Sequence, residues 1–401
     1  MPEETVTAAH GNRRRILFLI DGLEGDGAER QFCELVKGVH DLQEFEAHVG
    51  VLEERDSGHA WLLESLGLRI NGFTRKSRFD LSPLRAIIRY IREHDVDLVH
   101  AYMSMGSEFG LIAGRFCGIP VITSSIRNAR NRNWREAIRT CYQARFADLA
   151  VANSRAGFSS RFRRMRSSFR VIHNGIDPER VSVSEGDRNE LRRELGLHDG
   201  VRLITMAARM TPQKDHRTLL EALRRVLLSQ SDVLLLLAGE GPLEAEISDL
   251  AHRLGIARHV RFLSHRRDVE RLLAICDVSI LLTSSDIHLE GISNTIIESM
   301  SIGTPVVATR GGGTDEILAD DDLGPPPYTH GIKVEPYRPD QVADAIRYYL
   351  EDDAERLRIA SAARSMALER FGFGRYVREN VLLYRELIGG ASPAGAAAGA
   401  P

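Results

Sequence analysis

Cysteine is scarce: Cys33, Cys117, Cys141 and Cys276 lie far apart among 401 residues and form no C-x-x-C pair. That spacing suggests neither a disulfide framework nor a zinc site, so the four read as reduced core thiols of a cytosolic chain. No apolar run approaches the roughly 20 residues of a membrane-spanning helix, and the longest, such as VLLLLAG at 233–239, have strand length. The start RRRILFLIDG has too short an apolar part for a signal peptide, and its run Ile16 to Ile20 reads as a buried first strand. Residues 390–401 are Gly/Ala/Pro of low complexity, expected to remain a disordered tail because they offer little surface to bury.

A third glycine is also missing. The loop DGLEGDGAERQ carries Gly22, Gly25 and Gly27, but Arg30 stands where a dinucleotide-binding loop needs its last glycine, and no G-K-[ST] follows. A nicotinamide-dependent dehydrogenase and a nucleotide-hydrolysing P-loop are thereby disfavoured. What remains is a strand-to-helix turn whose backbone N–H groups can approach an anion.

The composition, 43% apolar and 27% charged, is that of a soluble globular chain, and the length suits two domains. Short β-rich runs (RILFLI, AHVGVL, DLVHAY, PVITSS, DLAVAN, FRVIHN) alternate with amphipathic segments through the first 175 residues. The same grammar restarts after 200 with RLITMAA, VLLLLAG, VRFLS, VSILLTS and PVVAT. Parallel strands need helical crossovers, so each half is predicted to be a doubly wound α/β domain with its ligand at the carboxyl ends of the strands. The expected boundaries are 1–178, 179–372, a helix at 373–389 returning to the first domain, and the tail.

Between two strands of the second half lies SSDIHLEGISNTIIESMSIGTP, with Glu290 and Glu298 on either side of a helix start. Ser293 is a candidate cap, Gly303 ends the helix and Pro305 prevents its continuation. Two carboxylates flanking the positive end of a helix suit a phosphate site. Eight residues bring them to about 12 Å even along a helical path, beyond the roughly 5–9 Å of a glycosidase pair. The plainer alternative is that both are solvated helix charges.

The run EGISNTIIESM, followed by SIGTPVVAT and GGGTDE, resembles the E-x7-E signature of the retaining glycosyltransferases of family 4, whose GT-B architecture sets two Rossmann-like domains across a cleft. GDGAERQ at 25–31, HNGID at 173–177, AARMTPQKDH at 207–216 and AGEGPL at 238–243 support it in the expected order. The resemblance implies that Arg209 and Lys214 grip the donor diphosphate, where cations stabilise the charge developing on the leaving group. It places Glu290 at the transferred sugar, Glu298 on the ribose hydroxyls, and the backbone of Gly291, Ile292, Ser293 and Asn294 near sugar and phosphates. Gly25 and Gly27 resemble the phosphate-facing loop; Asp26 replaces a glycine there and is expected to turn away. Ser293 stands where the family usually has proline. His100 corresponds to a histidine beside the reacting sugar, although a lone histidine at a strand end is commonly structural. Arg127 and Asn128 are acceptor or phosphate candidates, Asp177 shapes a turn, and Glu316 caps its own helix or touches the donor.

The implied activity moves a sugar from a nucleotide diphosphate sugar, with uridine as the commonest base of the family, to a glycan or glycolipid hydroxyl. No metal or other cofactor is implied: the D-x-D imitation at Asp95 and Asp97 and the acidic run at 320–322 read as solvated. A nucleotide-sugar epimerase of the same architecture and a non-catalytic nucleotide-sugar-binding subunit are the rivals. Nucleic acid is not an expected partner, since no recognition motif accompanies the charge. The formal charge of -3 hides an asymmetry, because residues 127–170 contain twelve arginines against Glu136 and Asp148. Arg161, Arg163, Arg164 and Arg166, with Phe158, Phe162 and Met165, are predicted to share one helix that suits an anionic inner membrane surface.

Overall fold

The structure is a computed structural model, and it describes residues 13–24, 27–53, 58–77, 80–131, 133–318 and 326–389. Gly25, Asp26, the acidic run at 320–322 and the tail at 390–401 lie outside the described residues. The first sheet has seven parallel strands: β1 (Arg14–Ile20), β2 (Phe45–Val51), β3 (Ile70–Gly72), β4 (Leu98–Tyr102), β5 (Val121–Ile126), β6 (Leu149–Ala152) and β7 (Phe169–Val171). Their order is β3-β2-β1-β4-β5-β6-β7. The second sheet has six: β8 (Arg202–Ala207), β9 (Val233–Ala238), β10 (Val260–Phe262), β11 (Val278–Leu281), β12 (Val306–Thr309) and β13 (Ile332–Val334), ordered β10-β9-β8-β11-β12-β13. The apolar runs are continuous rather than alternating because helices cover both faces of each sheet. Strands β3 and β13 were not expected: each is three residues long and sits at an edge, too short to show a period.

The order of strands reverses between β1 and β4 and again between β8 and β11, and open α/β sheets bind ligands at such switch points. The glycine loop follows β1, the Arg209–Lys214 loop follows β8, and the Glu290 loop follows β11. The chain crosses between the sheets twice, side by side. Ile176 donates to Phe371 O at 2.7 Å and Phe373 donates back to Ile176 O at 3.0 Å. Beyond the second crossing, the Phe373–Ile388 helix returns to the first sheet, burying Tyr376, Val377, Val381 and Tyr384 against Phe18, Phe32 and Phe45. No helix among the described residues is long and apolar enough to cross a membrane.

Candidate active site

The Asn294–Ile302 helix begins and ends as its residues dictate, with Gly303 left-handed at φ 94°. Ser293 precedes its first turn, but its side chain makes no capping bond, so that expected role is not met. The loop before the helix is locked by backbone contacts that only glycine permits. A Cβ on Gly291 would lie 2.2 Å from Asn153 Oδ1 and 2.5 Å from Arg127 O, and one on Gly313 would lie 2.0 Å from Gly291 O. Ile292 is buried in the core of the second domain, while its carbonyl accepts from Asn174 at 2.9 Å.

Glu290 is held by the Lys214 ammonium, with His288 at 3.5 Å. Burial alone would raise its carboxyl; Lys214 and then His288 outweigh burial and hold it well below the usual carboxylate range. Lys214 reaches it because its own backbone bridges to Thr283, directly after β11. Glu298 lies elsewhere, in a buried cluster that spans both domains. Its Oε1 accepts from Arg180 at 2.8 Å and Arg30 at 3.2 Å, and both arginines also contact Glu270. Arg180 further approaches Glu34 at 3.4 Å. Burial raises Glu298, and Arg180 and then Arg30 bring it below its ordinary value; Glu34, where burial wins against Arg180, is pushed up to about 7.

A cavity of about 160 Å³ opens between the domains, lined by Gly27, Arg30, Arg209, Gly239, Asn294 and Glu298 among others. The structure thus brings Gly27, Arg209, Asn294 and Glu298 together. Asn294 bridges them, donating to Gly27 O at 2.9 Å while its Oδ1 accepts from Asn174 at 2.7 Å. Gly239, at φ 140°, lets the loop after β9 touch the Arg209 loop, where a Cβ would sit 2.2 Å from Ala208 O. Lys214 lies outside this cavity, on Glu290. His265 and Arg266, which also line the cavity, carried no motif. Asn174 and Arg30 did lie in quoted motifs, and their side-chain roles emerge only when the domains meet.

Several expectations are corrected. His100 is not in the cleft: it is fully buried, bonded to Tyr384 Oη and Ser124 Oγ at 2.8 Å each, and burial, aided by Arg127, lowers its pKa to about 3. It is a neutral core histidine linking the returning helix to the sheet. Asn128 pairs its backbone with Glu290, but its Oδ1 accepts from Arg161 at 2.6 Å, so the amide supports the loop instead of facing an acceptor. Arg127 stacks over Tyr102 and reaches Asn174 Oδ1 at 3.3 Å. Glu316 does not cap its own helix. It accepts from the Arg155 and Ala156 backbone at 2.9 and 2.7 Å, capping the Arg155–Ser159 helix of the other domain. Asp177 makes the expected local turn with Glu179 N at 3.0 Å. Asp97 accepts from Arg14 and the Arg15 backbone at the opposite end of β4, so the D-x-D imitation lies far from the cleft.

The basic segment also differs. The helix stops at Ser159, and Arg161, Arg163, Arg164 and Arg166 follow in turns and coil. Guanidiniums three residues apart would repel along a helix, and Arg161 turns back onto Asn128 O and Gly157 O at 2.9 and 3.0 Å. Phe158 and Phe162 pack against Phe169 in a small core, so the aromatic part of the expected membrane face is turned inward.

Two doubly wound parallel sheets, each with a switch point in its strand order and with the Lys214 and Glu290 loops meeting at that of the second sheet, define the GT-B class. Sequence comparison agrees. The chain matches Glycosyltransferase Family 4 over residues 25–180 and Glycosyl transferases group 1 over 187–366. It belongs to the family 4 glycosyltransferases. It is 28% identical over 220 residues, 54% of this chain and 53% of the other, to an uncharacterized glycosyltransferase of Methanocaldococcus jannaschii. To the N-acetyl-alpha-D-glucosaminyl L-malate synthase of Bacillus anthracis it is 25% identical over 239 residues, 60% of this chain and 59% of that one. The chain therefore spans little more than half the length of these relatives. The crystal structure of Anabaena HepE in complex with UDP superposes with a TM-score of 0.80 at 25% identity, covering 93% of this chain and all of that one.

Proposed function

We propose that the protein transfers a sugar from a nucleoside diphosphate sugar to a hydroxyl acceptor with retention of configuration and without a bound metal. The second domain takes the donor and the first the acceptor. The observation that carries this reading is the cavity where Arg209, Asn294 and Glu298 converge beside the Lys214–Glu290 pair. As the sugar–phosphate bond lengthens, negative charge accumulates on the departing diphosphate. Arg209, Lys214 and the N-terminus of the Asn294–Ile302 helix are fixed positive groups on that side of the cleft. Lys214 reaches toward the diphosphate while staying beside Glu290, which Lys214 and His288 hold ionised and which faces the sugar. Glu298 accepts from the ribose while Arg30 and Arg180 keep it ionised.

Uridine is the proposed base, supported by the UDP complex of HepE, and the acceptor a polysaccharide or glycolipid intermediate. A nucleotide-sugar epimerase would not be expected to carry the Glu290–Glu298 signature together with Arg209 and Lys214, and a non-catalytic subunit would bind donor without consuming it. A thermal-shift screen against uridine, guanosine and adenosine diphosphate sugars, followed by NMR of donor turnover, separates these readings. Release of nucleoside diphosphate supports transfer, release of an epimerised donor supports the first rival, and binding without turnover supports the second.

A further inference from the structure

The helix Trp134–Phe146 carries a stripe with no counterpart elsewhere among the described helices. Trp134, Ile138, Tyr142 and Phe146 recur every four residues on one face, and they are 67%, 61%, 41% and 53% exposed. The opposite face, with Thr140, Gln143 and Ala144, is buried. Residues four apart share a helix face, so these four large side chains form one ridge about 20 Å long. The neighbouring Ser104–Cys117 helix also exposes Ile112 and Phe116. Arg115 ties the two helices by donating to Phe146 O at 2.7 Å. Isolated exposed apolar residues need no explanation, whereas a contiguous ridge marks an interaction surface.

Charge identifies the occupant. On the same helix Arg135, Arg139 and Arg145 flank the ridge against Glu136 alone, and Arg130 precedes it. Arg135 lies over the Trp134 ring and Arg92 over Phe116, each about 5.3 Å from the centroid. A ridge of Trp, Ile, Tyr and Phe rimmed by arginines is the make-up of a helix lying in a bilayer interface, where the rings sit at headgroup level and the guanidiniums meet lipid phosphates. A second copy fits poorly, since a two-fold pairing would set the two basic rims against each other.

We propose that this ridge docks on an anionic lipid surface through Trp134, Ile138, Tyr142 and Phe146. The same loop that leads into the helix joins the cleft: Asn128 pairs with Glu290, Ala129 donates to Leu289 O at 2.9 Å, and Asn133 caps the helix through Glu136 N at 2.9 Å. Docking therefore brings the mouth of the cleft to the headgroup layer, where a lipid-linked acceptor is presented.

Sedimentation with vesicles of phosphatidylcholine containing phosphatidylglycerol, against phosphatidylcholine alone, reads this without any sugar donor, so its outcome is independent of the proposed activity. Wild type should sediment with the anionic vesicles only. With Trp61→Phe leaving Trp134 as the sole tryptophan, its emission should move to shorter wavelength. Replacing Arg135, Arg139 and Arg145 by Gln should weaken binding about fivefold per charge. Trp134→Glu with Ile138→Glu should abolish binding with the circular dichroism unchanged. Equal sedimentation by that double variant, unshifted Trp134 emission, or no sedimentation by wild type would overturn the proposal. A concentration-dependent dimer dissolved by Ile138→Glu would assign the ridge to a second copy instead.

Discussion

Lys214, in the loop after β8, and Glu290, in the loop after β11, form an ion pair across the switch point of the second sheet. Neither is adjacent to the other in sequence, and both are largely buried, so each removes the desolvation penalty of its partner. Lys214→Met should therefore destabilise the protein by about 3–5 kcal/mol in urea unfolding, because Glu290 is left buried and uncompensated. Adding Glu290→Gln should recover most of that loss and none of the donor turnover.

Arg180 faces Glu34, Glu270 and Glu298 at once, which raises its affinity for a proton despite burial. Arg180→Ala should cost at least as much, about 3–5 kcal/mol, and should lower donor affinity because Glu298 loses one of its two cations. The exposed pair Arg385–Glu44, at 2.6 Å, is the control: Arg385→Ala should change stability by about 1 kcal/mol or less.

Gly291 packs directly against the first domain. A methyl group there meets the Asn153 side-chain amide and the Arg127 backbone carbonyl, and the carbonyl cannot give way without moving the first domain. Gly291→Ala should enlarge the radius of gyration in small-angle scattering and weaken nucleotide binding by about tenfold or more, as expected when aligned groups are held apart.

Asp21, at the end of β1, accepts from Gly106 N at 2.7 Å, but burial outweighs that bond and raises its pKa from 3.8 to about 6. The native state thus binds this proton more tightly than the unfolded chain, and the stabilising contribution is full below the unfolded pKa and lost as pH rises through about 6. Asp21→Asn should accordingly add about 1–3 kcal/mol of stability near pH 8 and little near pH 4, read by denaturation at the two values.

Much of the fold was legible because β1, β4, β8 and β11 are short, largely apolar runs, and the spacing between successive runs leaves room for helical crossovers. The site residues Arg209, Asn294 and Glu298 were located through the motifs that resemble the family, AARMTPQKDH and EGISNTIIESM, and not through the periodicity of the chain. What sequence hides is partnership over distance. Arg180 stands in no motif, yet three glutamates from three helices meet on it. Glu316 looked like a cap for the helix that bears it and instead caps one in the other domain. The run DLVH reads as ending at His100, but β4 continues to Tyr102 and His100 sits at its centre, turned into the core by a bond to Tyr384, 284 residues away. The arginines at 161–166 imitate an amphipathic helix, and the ridge at 134–146 escaped notice because its exposure depends on which face the first sheet covers.

Calorimetric titration with UDP tests the central claim most directly, namely that the cavity joining Arg209, Asn294 and Glu298 beside Lys214 holds a nucleoside diphosphate. The wild type should bind with a 1:1 stoichiometry. Arg209→Ala and Lys214→Ala should each weaken binding by about 1.5–3 kcal/mol, the worth of a charged hydrogen bond. Unchanged affinity in both variants, or no binding of uridine, guanosine or adenosine diphosphate by the wild type, would contradict it.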